Sequence, residues 1–287
     1  MNPSPFTSRL QALSSQGFPR PALLPTASPT SVELGSEVLR SGLFGIDRRR
    51  LPPVKSGRGV EGSPRGVRPS PEYCSGVEFR TGWGSAVLTY RGVRLTQAHA
   101  SVVMVLASAL RGRAHTEALE TSAGALIAAL GWSDSAYSRE RLWEALLDLT
   151  GAVVVSSYAT AEQRQVAEPI LARAERERGT GRVCVRFSET GLDLFRGVPV
   201  YVSLVRRGLL TEGLETWLYG VIRASRFYEA VTYEYLRDLA GTDQPLNEFA
   251  RDVRAALVKM RAAKLIGGFT AKRGAVFIWK KVANPIV

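Results

Sequence analysis

The apolar positions of the C-terminal region follow two different periods. Between about residues 247 and 264 they recur every three or four positions, as expected of a helix that packs along one side. These positions are Phe249, Val253, Leu257 and Met260. From residue 265 to residue 279 they form two short runs around the basic four-residue turn 271–274, which predicts a tight β-hairpin. A helix followed by such a hairpin is the layout of a winged helix-turn-helix element.

The same order of elements is predicted twice. The first copy has helices at 95–110, 122–130 and 138–149, a strand at 152–157, and a hairpin of 170–178 and 182–187 around the turn 179–181. The second copy has helices at 212–225, 232–240 and 247–264, followed by the C-terminal hairpin. The predicted fold class is therefore α+β. It consists of two winged-helix domains (helix-turn-helix plus β-hairpin wing) in tandem, at residues 84–184 and 185–282.

The N-terminal region differs in composition from the rest of the chain. Of the 15 prolines, 11 lie within the first 71 residues, among many Gly and Ser residues and with almost no apolar periodicity. Such a segment offers too little apolar surface to order itself, so we expect residues 1–80 to be a largely disordered tail. The exception is the apolar island 38–46, whose composition suits docking onto another surface.

Net charge is unevenly distributed along the chain. Counting Lys and Arg against Asp and Glu gives 11 − 6 = +5 for residues 1–80, 18 − 18 = 0 for 81–244 and 9 − 2 = +7 for 245–281. Together these values make up the +12 of the whole chain. The excess near the C-terminus predicts binding to a polyanion, with help from the N-terminal segment.

Signals for a membrane or for secretion are weak. No segment joins a basic face to a bulky apolar face, as an interfacial helix requires. The longest uncharged run, 95–110, is too short and too polar to span a bilayer. No apolar leader follows the N-terminus, and the two cysteines, Cys74 and Cys184, lie far apart. The expected location is therefore the cytoplasm.

The C-terminal helix also has a polar, basic stripe opposite its apolar one. Its members are Asn247, Arg251, Arg254 and Arg261, together with Val258. Arg can donate two hydrogen bonds to guanine and Asn can form two with adenine, so this side suits the major groove of double-stranded DNA. Lys272 and Arg273, at the hairpin tip, suit phosphate contacts. The alternative is a solvated helix face and a surface turn, which is the usual location of charged residues.

The first predicted domain has a mixed surface. The outward side of its third helix carries three acids and one arginine, at Glu140, Arg141, Glu144 and Asp148, which would repel a phosphate-lined groove. Only the start of that helix and the neighbouring hairpin suit phosphate contacts. The residues concerned are Tyr137, Arg139, Arg141, Arg176, Arg178 and Arg182. We therefore expect the second domain to read bases and the first to contact phosphate or a second protomer of a homodimer.

No constellation in the sequence suits an enzyme. There is no Gly-Lys dipeptide, hence no P-loop. The two histidines, His99 and His115, are too few for the metal site of a DNA-nicking enzyme. We expect no catalytic residue, no cofactor and no bound metal. Helical spacing predicts core positions for three tryptophans, Trp132, Trp143 and Trp217, whereas Trp279 suits either a core or a base-stacking position.

Several segments resemble the TrfA-type plasmid replication initiators. They are Leu-Arg-Ser-Gly-Leu-Phe at 39–44, Leu-Thr-Tyr-Arg-Gly-Val-Arg-Leu-Thr at 88–96, Leu-Gly-Trp-Ser at 130–133 with Tyr137, Phe-Ser-Glu at 187–189 with Leu-Phe at 194–195, and Tyr-Leu-Arg-Asp-Leu-Ala-Gly at 235–241. The resemblance covers about residues 38–282 in consistent order. It implies two winged-helix domains that bind repeated sequences in a plasmid origin. It also implies that replication then starts with host initiator and helicase-loading proteins.

The residues alone fit a second function as well. A winged-helix transcriptional repressor uses the same groove-reading helix at an operator. A nucleoid-binding structural protein, with little sequence preference, is a third and weaker possibility. Direct repeats beside an A·T-rich stretch near the gene favour initiation, whereas one inverted repeat in a promoter favours repression.

Overall fold

The structure is a computed structural model that describes residues 31–40, 42–46, 73–80, 86–110, 117–158, 165–177, 179–195, 199–225 and 230–279. In chain order its strands are β1 (Ser31–Gly35), β2 (Phe44–Gly45), β3 (Tyr73–Arg80), β4 (Ala86–Val93), β5 (Leu95–Thr96), β6 (Leu119–Ser122), β7 (Val153–Tyr158), β8 (Gln165–Pro169), β9 (Leu171–Arg176), β10 (Arg182–Phe187), β11 (Pro199–Ser203), β12 (Val231–Thr232), β13 (Gly268–Lys272) and β14 (Ala275–Trp279). Its helices are α1 (Ser36–Arg40), α2 (Gln97–Ala109), α3 (Ala123–Ala129), α4 (Ala136–Gly151), α5 (Glu189–Leu192), α6 (Leu204–Arg207), α7 (Leu214–Ala224), α8 (Tyr233–Ala240) and α9 (Leu246–Ala262), with a 3₁₀ turn at Asp193–Phe195.

Two stretches of the chain repeat one arrangement. In the first unit, α2, β6, α3 and α4 lead to the hairpin β9–β10, and the three strands form a sheet in the order β6-β10-β9. In the second unit, α7, β12, α8 and α9 lead to the hairpin β13–β14, and the sheet order is β12-β14-β13. All neighbouring strands in both sheets are antiparallel. The predicted α+β fold with two winged-helix domains in tandem is confirmed.

Short polar side chains mark where the helices begin. The hydroxyls of Ser122 and Ser135 each accept a backbone N–H from the first turn of α3 or α4 at 3.1 Å. Thr232 does the same for α8 at 3.2 Å. Each cap satisfies a backbone donor that has no partner inside its helix. The first predicted helix starts two residues late, because Leu95–Thr96 pairs in parallel with β2 as strand β5.

The first unit carries a second sheet that periodicity alone did not reveal. Strand β4 pairs with β3 on one side and β7 on the other, and β8 completes the order β3-β4-β7-β8. The strand predicted at 152–157 is β7 and belongs to this sheet, not to the wing. Tyr90 of β4 is buried in the core that results.

Parts of the N-terminal region are built into the fold. Strand β1 pairs antiparallel with β11, from Ser31 opposite Ser203 to Gly35 opposite Pro199. Helix α1 packs on α7, where Leu39 lies so close to Gly220 that a Cβ there would stand 3.2 Å from it. The prediction of a tail through residue 80 is therefore wrong for β1 and β3, because more distant strands supply partners that the local pattern does not show. Helix α1 and strand β2 overlap the island 38–46, which that prediction excepted.

The boundary between the units lies later than predicted. A division between residues 184 and 185 would cut β10, which pairs with β6 through Arg182–Val185 and with β9 as far as Phe187. Because β10 is the central strand of its sheet, the first unit extends at least to Phe187.

A buried arginine joins the two units. The Arg207 guanidinium donates to the Gln97 side-chain oxygen of α2 at 2.8 Å and to the Thr216 carbonyl of α7 at 3.0 Å. Gln97 in turn donates to the Phe44 carbonyl at 2.6 Å, which ties β2 into the same network. Burial lowers the pKa of Arg207 to about 10. The two winged-helix units are thus held together by hydrogen bonds in their shared interior.

Candidate nucleic-acid interface

Helix α9 presents one apolar and one polar side, as its sequence predicted. Phe249, Val253, Leu257 and Met260 are fully buried. The opposite side, here called the reading stripe, is exposed along its whole length; its members are Asn247, Arg251, Arg254, Val258 and Arg261. At about 1.5 Å of rise per residue, the stripe is roughly 21 Å long. Its position and length suit insertion into a major groove.

Neighbouring side chains orient two arginines of the reading stripe. Arg251 donates to the Asp252 carboxylate at 3.1 Å, and this carboxylate also accepts the Gln244 side-chain amide at 2.7 Å. The guanidinium carbon of Arg254 lies 5.9 Å from the ring centre of Tyr233, the first residue of α8. An aromatic face attracts a cation at this distance without neutralising it. The contact therefore restrains the position of Arg254 without pairing it with an acid.

One cation of α9 has a structural role instead. Lys259 lies beside the reading stripe and donates to the Glu215 carboxylate of α7 at 2.5 Å. The second oxygen of that carboxylate accepts the Thr211 backbone N–H at 2.8 Å. Burial raises the pKa of Glu215, but the hydrogen bonds from Lys259 and Thr211 outweigh it, so the pKa lies below its usual value of 4.5. Lys259 thus anchors α9 to the core.

The second wing is tighter than predicted. Lys272 and Ala275 face each other as a strand pair, so the turn contains two residues, Arg273 and Gly274, and not four. Gly274 has a φ of 80°, which favours glycine at this position. Its carbonyl accepts the Tyr233 backbone N–H at 3.0 Å, which ties the wing tip to the start of α8. Lys272 and Arg273 are both exposed at the tip, as predicted.

Acidic residues pair with the basic residues that were predicted to contact phosphate in the first unit. The pairs are Arg139 with Asp134, Arg141 with Glu212, Arg176 with Glu140, and Arg182 with Glu120. Arg139 binds both carboxylate oxygens of Asp134 at 2.9 Å. Tyr137 is 68% exposed on the first turn of α4, and Arg178 lies outside the described residues. The described arginines of this set are therefore all paired, and their charge is largely neutralised.

Two of these arginines also lie on tryptophans. The guanidinium carbon of Arg141 is 4.2 Å from the ring centre of Trp132, and that of Arg176 is 5.0 Å from Trp143. The predicted core positions are therefore only partly correct, because each indole keeps one face near the surface to support a cation. Trp217 is buried, as predicted.

Asp148 does not lie on the outward side of α4. Its carboxylate accepts a hydrogen bond from Nε2 of His99 at 3.1 Å, while Nδ1 of His99 accepts the Thr96 backbone N–H at 2.9 Å. His99 is buried and links the start of α2 to α4. The acidic side predicted for α4 is therefore reduced to Glu140 and Glu144. His115 lies outside the described residues.

Tyr235 was missed by the sequence reasoning. It is 52% exposed on the first turn of α8, the helix that precedes α9. In helix-turn-helix proteins the helix at this position crosses the DNA backbone. The signal was present in the sequence, because Thr232 marks the helix start three residues earlier.

The described residues contain no group of three or more His, Cys, Asp or Glu side chains placed to hold a metal ion. Within the same part of the chain, no helix has both the length and the apolar character needed to cross a membrane.

Comparison with solved structures finds similar folds at low sequence identity. The chain is similar to domains 2 and 3 of RctB, with 13% identity, 75% of this chain and 91% of that chain covered, and a TM-score of 0.49. It is also similar to the Pi initiator protein in complex with iteron DNA, with 16% identity, coverage of 57% and 82%, and a TM-score of 0.42. A second structure of RctB, of domains 2–3, has 13% sequence identity to this chain. The match covers 69% of this chain and 80% of that chain, with a TM-score of 0.43. No protein-family model matches the chain, and no curated protein is similar to it in sequence.

Proposed function

We propose that the chain binds double-stranded DNA through its second unit, with α9 in the major groove and the wing tip on the phosphate backbone. One observation carries the proposal: Arg254, Arg261, Lys272 and Arg273 are exposed, and none has an acid within ion-pairing distance among the described residues. Unpaired cations displace counterions from phosphates and so contribute directly to affinity. Asn247 and the stripe arginines add the donors that distinguish bases.

We infer further that this binding serves to initiate plasmid replication at repeated sites in an origin. Support comes from the segments at 39–44, 88–96 and 235–241 that resemble the TrfA-type initiators. In this role the chain has no catalytic activity of its own. It marks the origin in the cytoplasm and recruits the host initiator and helicase-loading proteins. The first unit, in which Arg139, Arg141, Arg176 and Arg182 are paired with acids, is then available for phosphate contacts or for a second protomer.

The test is footprinting of the full chain across the replicon that carries its gene. Initiation predicts protection at regular intervals over direct repeats beside an A·T-rich stretch. Arg254→Ala should abolish the periodic pattern at protein concentrations where the matched first-unit variant Arg139→Ala still gives it. A single protected inverted repeat in a promoter would identify a repressor instead. Uniform protection without preference would contradict site-specific binding altogether.

A further inference from the structure

The outer face of the second wing carries two aromatic rings. Strand register places Trp279 opposite Gly268, Phe277 opposite Thr270, and Ala275 opposite Lys272. Directly opposed residues of an antiparallel pair share a face, so these six residues form one face. The other face carries Val276 and Ile278, which are buried in the core. We call Phe277, Trp279 and Lys272 the aromatic strip.

The indole of Trp279 lies flat against the backbone of the partner strand. A Cβ built on Gly268 would stand only 2.7–2.9 Å from three atoms of the ring. Residue 268 must therefore be glycine for the ring to lie there, and the opposite side of the ring faces outward. Trp279 is 42% exposed, and the Phe277 ring centre lies 5.8 Å away at an interplanar angle of 41°. The contacts with Gly268 and Phe277 thus restrain the ring of Trp279 in one position.

The strip also lies in the most basic part of the chain. Lys272 is exposed on the same face, Arg273 follows at the turn, and Lys280 and Lys281 come directly after Trp279 in the sequence. The exposed indole of Trp279, with the half-buried ring of Phe277 beside it and cations nearby, combines two features of surfaces that bind single-stranded nucleic acid. These are rings on which bases stack and positive charge along the backbone path. A sheet face bearing such rings can stack unpaired bases in this way.

We propose that the aromatic strip is a binding site for unpaired bases of single-stranded DNA. Paired bases in a duplex are already stacked on their neighbours and present only their edges in the grooves, so the strip cannot stack on them. The strip therefore binds a different ligand, single-stranded DNA, from the duplex proposed for the reading stripe on α9. Stacking accepts every base, so the strip binds with little sequence preference.

The experiment uses the full chain and an oligothymidylate of about 12 nucleotides, within the usual site sizes of single-strand surfaces. Binding is followed by fluorescence anisotropy of the labelled oligonucleotide. Trp279→Ala should weaken it on the order of 10-fold or more, whereas Trp279→Phe should retain most of the affinity because a ring remains. Tyr201→Ala is the matched control, since it removes a comparably exposed aromatic ring from β11 and should have no effect.

A second readout reports the indole directly. Chain labelled with 5-fluorotryptophan gives a fluorine resonance for each of the 5 tryptophans, and the one lost in Trp279→Phe belongs to residue 279. Adding the oligonucleotide should shift that resonance most. Duplex binding by Trp279→Ala should match the parent chain, which shows that the variant is folded. The proposal is overturned if Trp279→Ala binds the oligonucleotide as the parent does, or if the residue 279 resonance does not move. Neither result depends on whether the chain binds repeats.

Discussion

In the first unit, Arg139, Arg141, Arg176 and Arg182 each pair with a carboxylate, whereas the second unit leaves Arg254, Arg261, Lys272 and Arg273 facing solvent. Both units have the same order of helices and strands and the same sheet order. Topology therefore does not distinguish a DNA-reading unit from one with another role. The difference lies in which side chains can still attract a phosphate.

The comparison also separates cations within one helix. On α9, Lys259 is bound to Glu215, while Arg254 and Arg261 point away from the core. The net charge of a segment counts all three alike, yet only the unpaired ones contribute fully to binding a polyanion. An ion pair must be broken before its cation can release a DNA counterion, so a paired arginine contributes less to affinity.

The largest effect is expected at the reading stripe. Arg251→Ala and Arg254→Ala should each weaken binding to the specific site by about 1–3 kcal/mol and relax base preference locally, because each removes a donor that we propose pairs with a base edge. Competition binding with specific and random duplexes measures this. Arg139→Ala and Arg141→Ala are the matched changes in the first unit and should have smaller effects. If a second-unit arginine variant loses affinity for both duplexes by the same factor, that arginine contacts phosphate and not a base.

The wing tip is expected to act without base preference. Replacing Lys272 and Arg273 together with Ala should lower the slope of log K against log salt by about 0.9 for each lost phosphate contact. Specific and random affinities should fall by the same factor. The measurement is a salt titration of duplex binding from low to physiological ionic strength. A slope equal to that of the parent chain would show that the tip does not reach the DNA.

Removing the acids that pair with first-unit arginines should make the surface charge of that unit more like that of the second. Glu140→Gln frees Arg176, and Glu212→Gln frees Arg141, without changing the size of the side chain. The double variant should bind random duplex more tightly, with a salt slope steeper by up to about 0.9 for each arginine that gains a phosphate. The control is the double variant Glu117→Gln and Glu189→Gln, which removes the same two charges from exposed carboxylates that have no ion pair within the described residues. If that control has an equal effect, the gain comes from net charge and not from the freed arginines.

The smallest effect concerns stability and not binding. Because the folded-state pKa of Glu215 lies below 4.5, its ionised form stabilises the fold above that pH, and the contribution is lost as the pH falls through the folded-state pKa. Glu215→Gln should therefore lower the free energy of unfolding by roughly 1 kcal/mol at neutral pH. Urea denaturation at several pH values should show the two chains converging under acid conditions. A constant difference across pH would mean that the carboxylate charge is not responsible.

Sequence reasoning succeeded where the determinants were local. The helices predicted at 122–130, 138–149, 232–240 and 247–264 depend on residues within a few positions of each other. They formed within two residues of their predicted bounds. The exposed reading stripe followed from the periodicity of α9. The two-residue wing turn differed because the basic residue Lys272 belongs to the strand, which hydrophobic patterning does not indicate.

Features that depend on distant residues were not predictable in this way. Arg141 meets Glu212 across 71 positions, and Arg207 meets Gln97 across 110. The pairing of β1 with β11 likewise joins a Pro-rich region to the second unit. A single sequence does not show which distant residues pair with each other. The contrast in charge pairing between the units therefore became visible only in three dimensions.

The guanidinium of Arg207 has a consequence for how salt titrations are interpreted. Its hydrogen bonds to Gln97, Ser101 and Thr216 end on neutral oxygens that are shielded from solvent, and dissolved ions screen such buried contacts far less than exposed ones. Changing the ionic strength therefore alters the attraction between DNA and the surface while leaving this joint between the units intact. The slope of log K against log salt then reports the number of phosphate contacts, because the Arg207 contacts between the units stay the same across the titration.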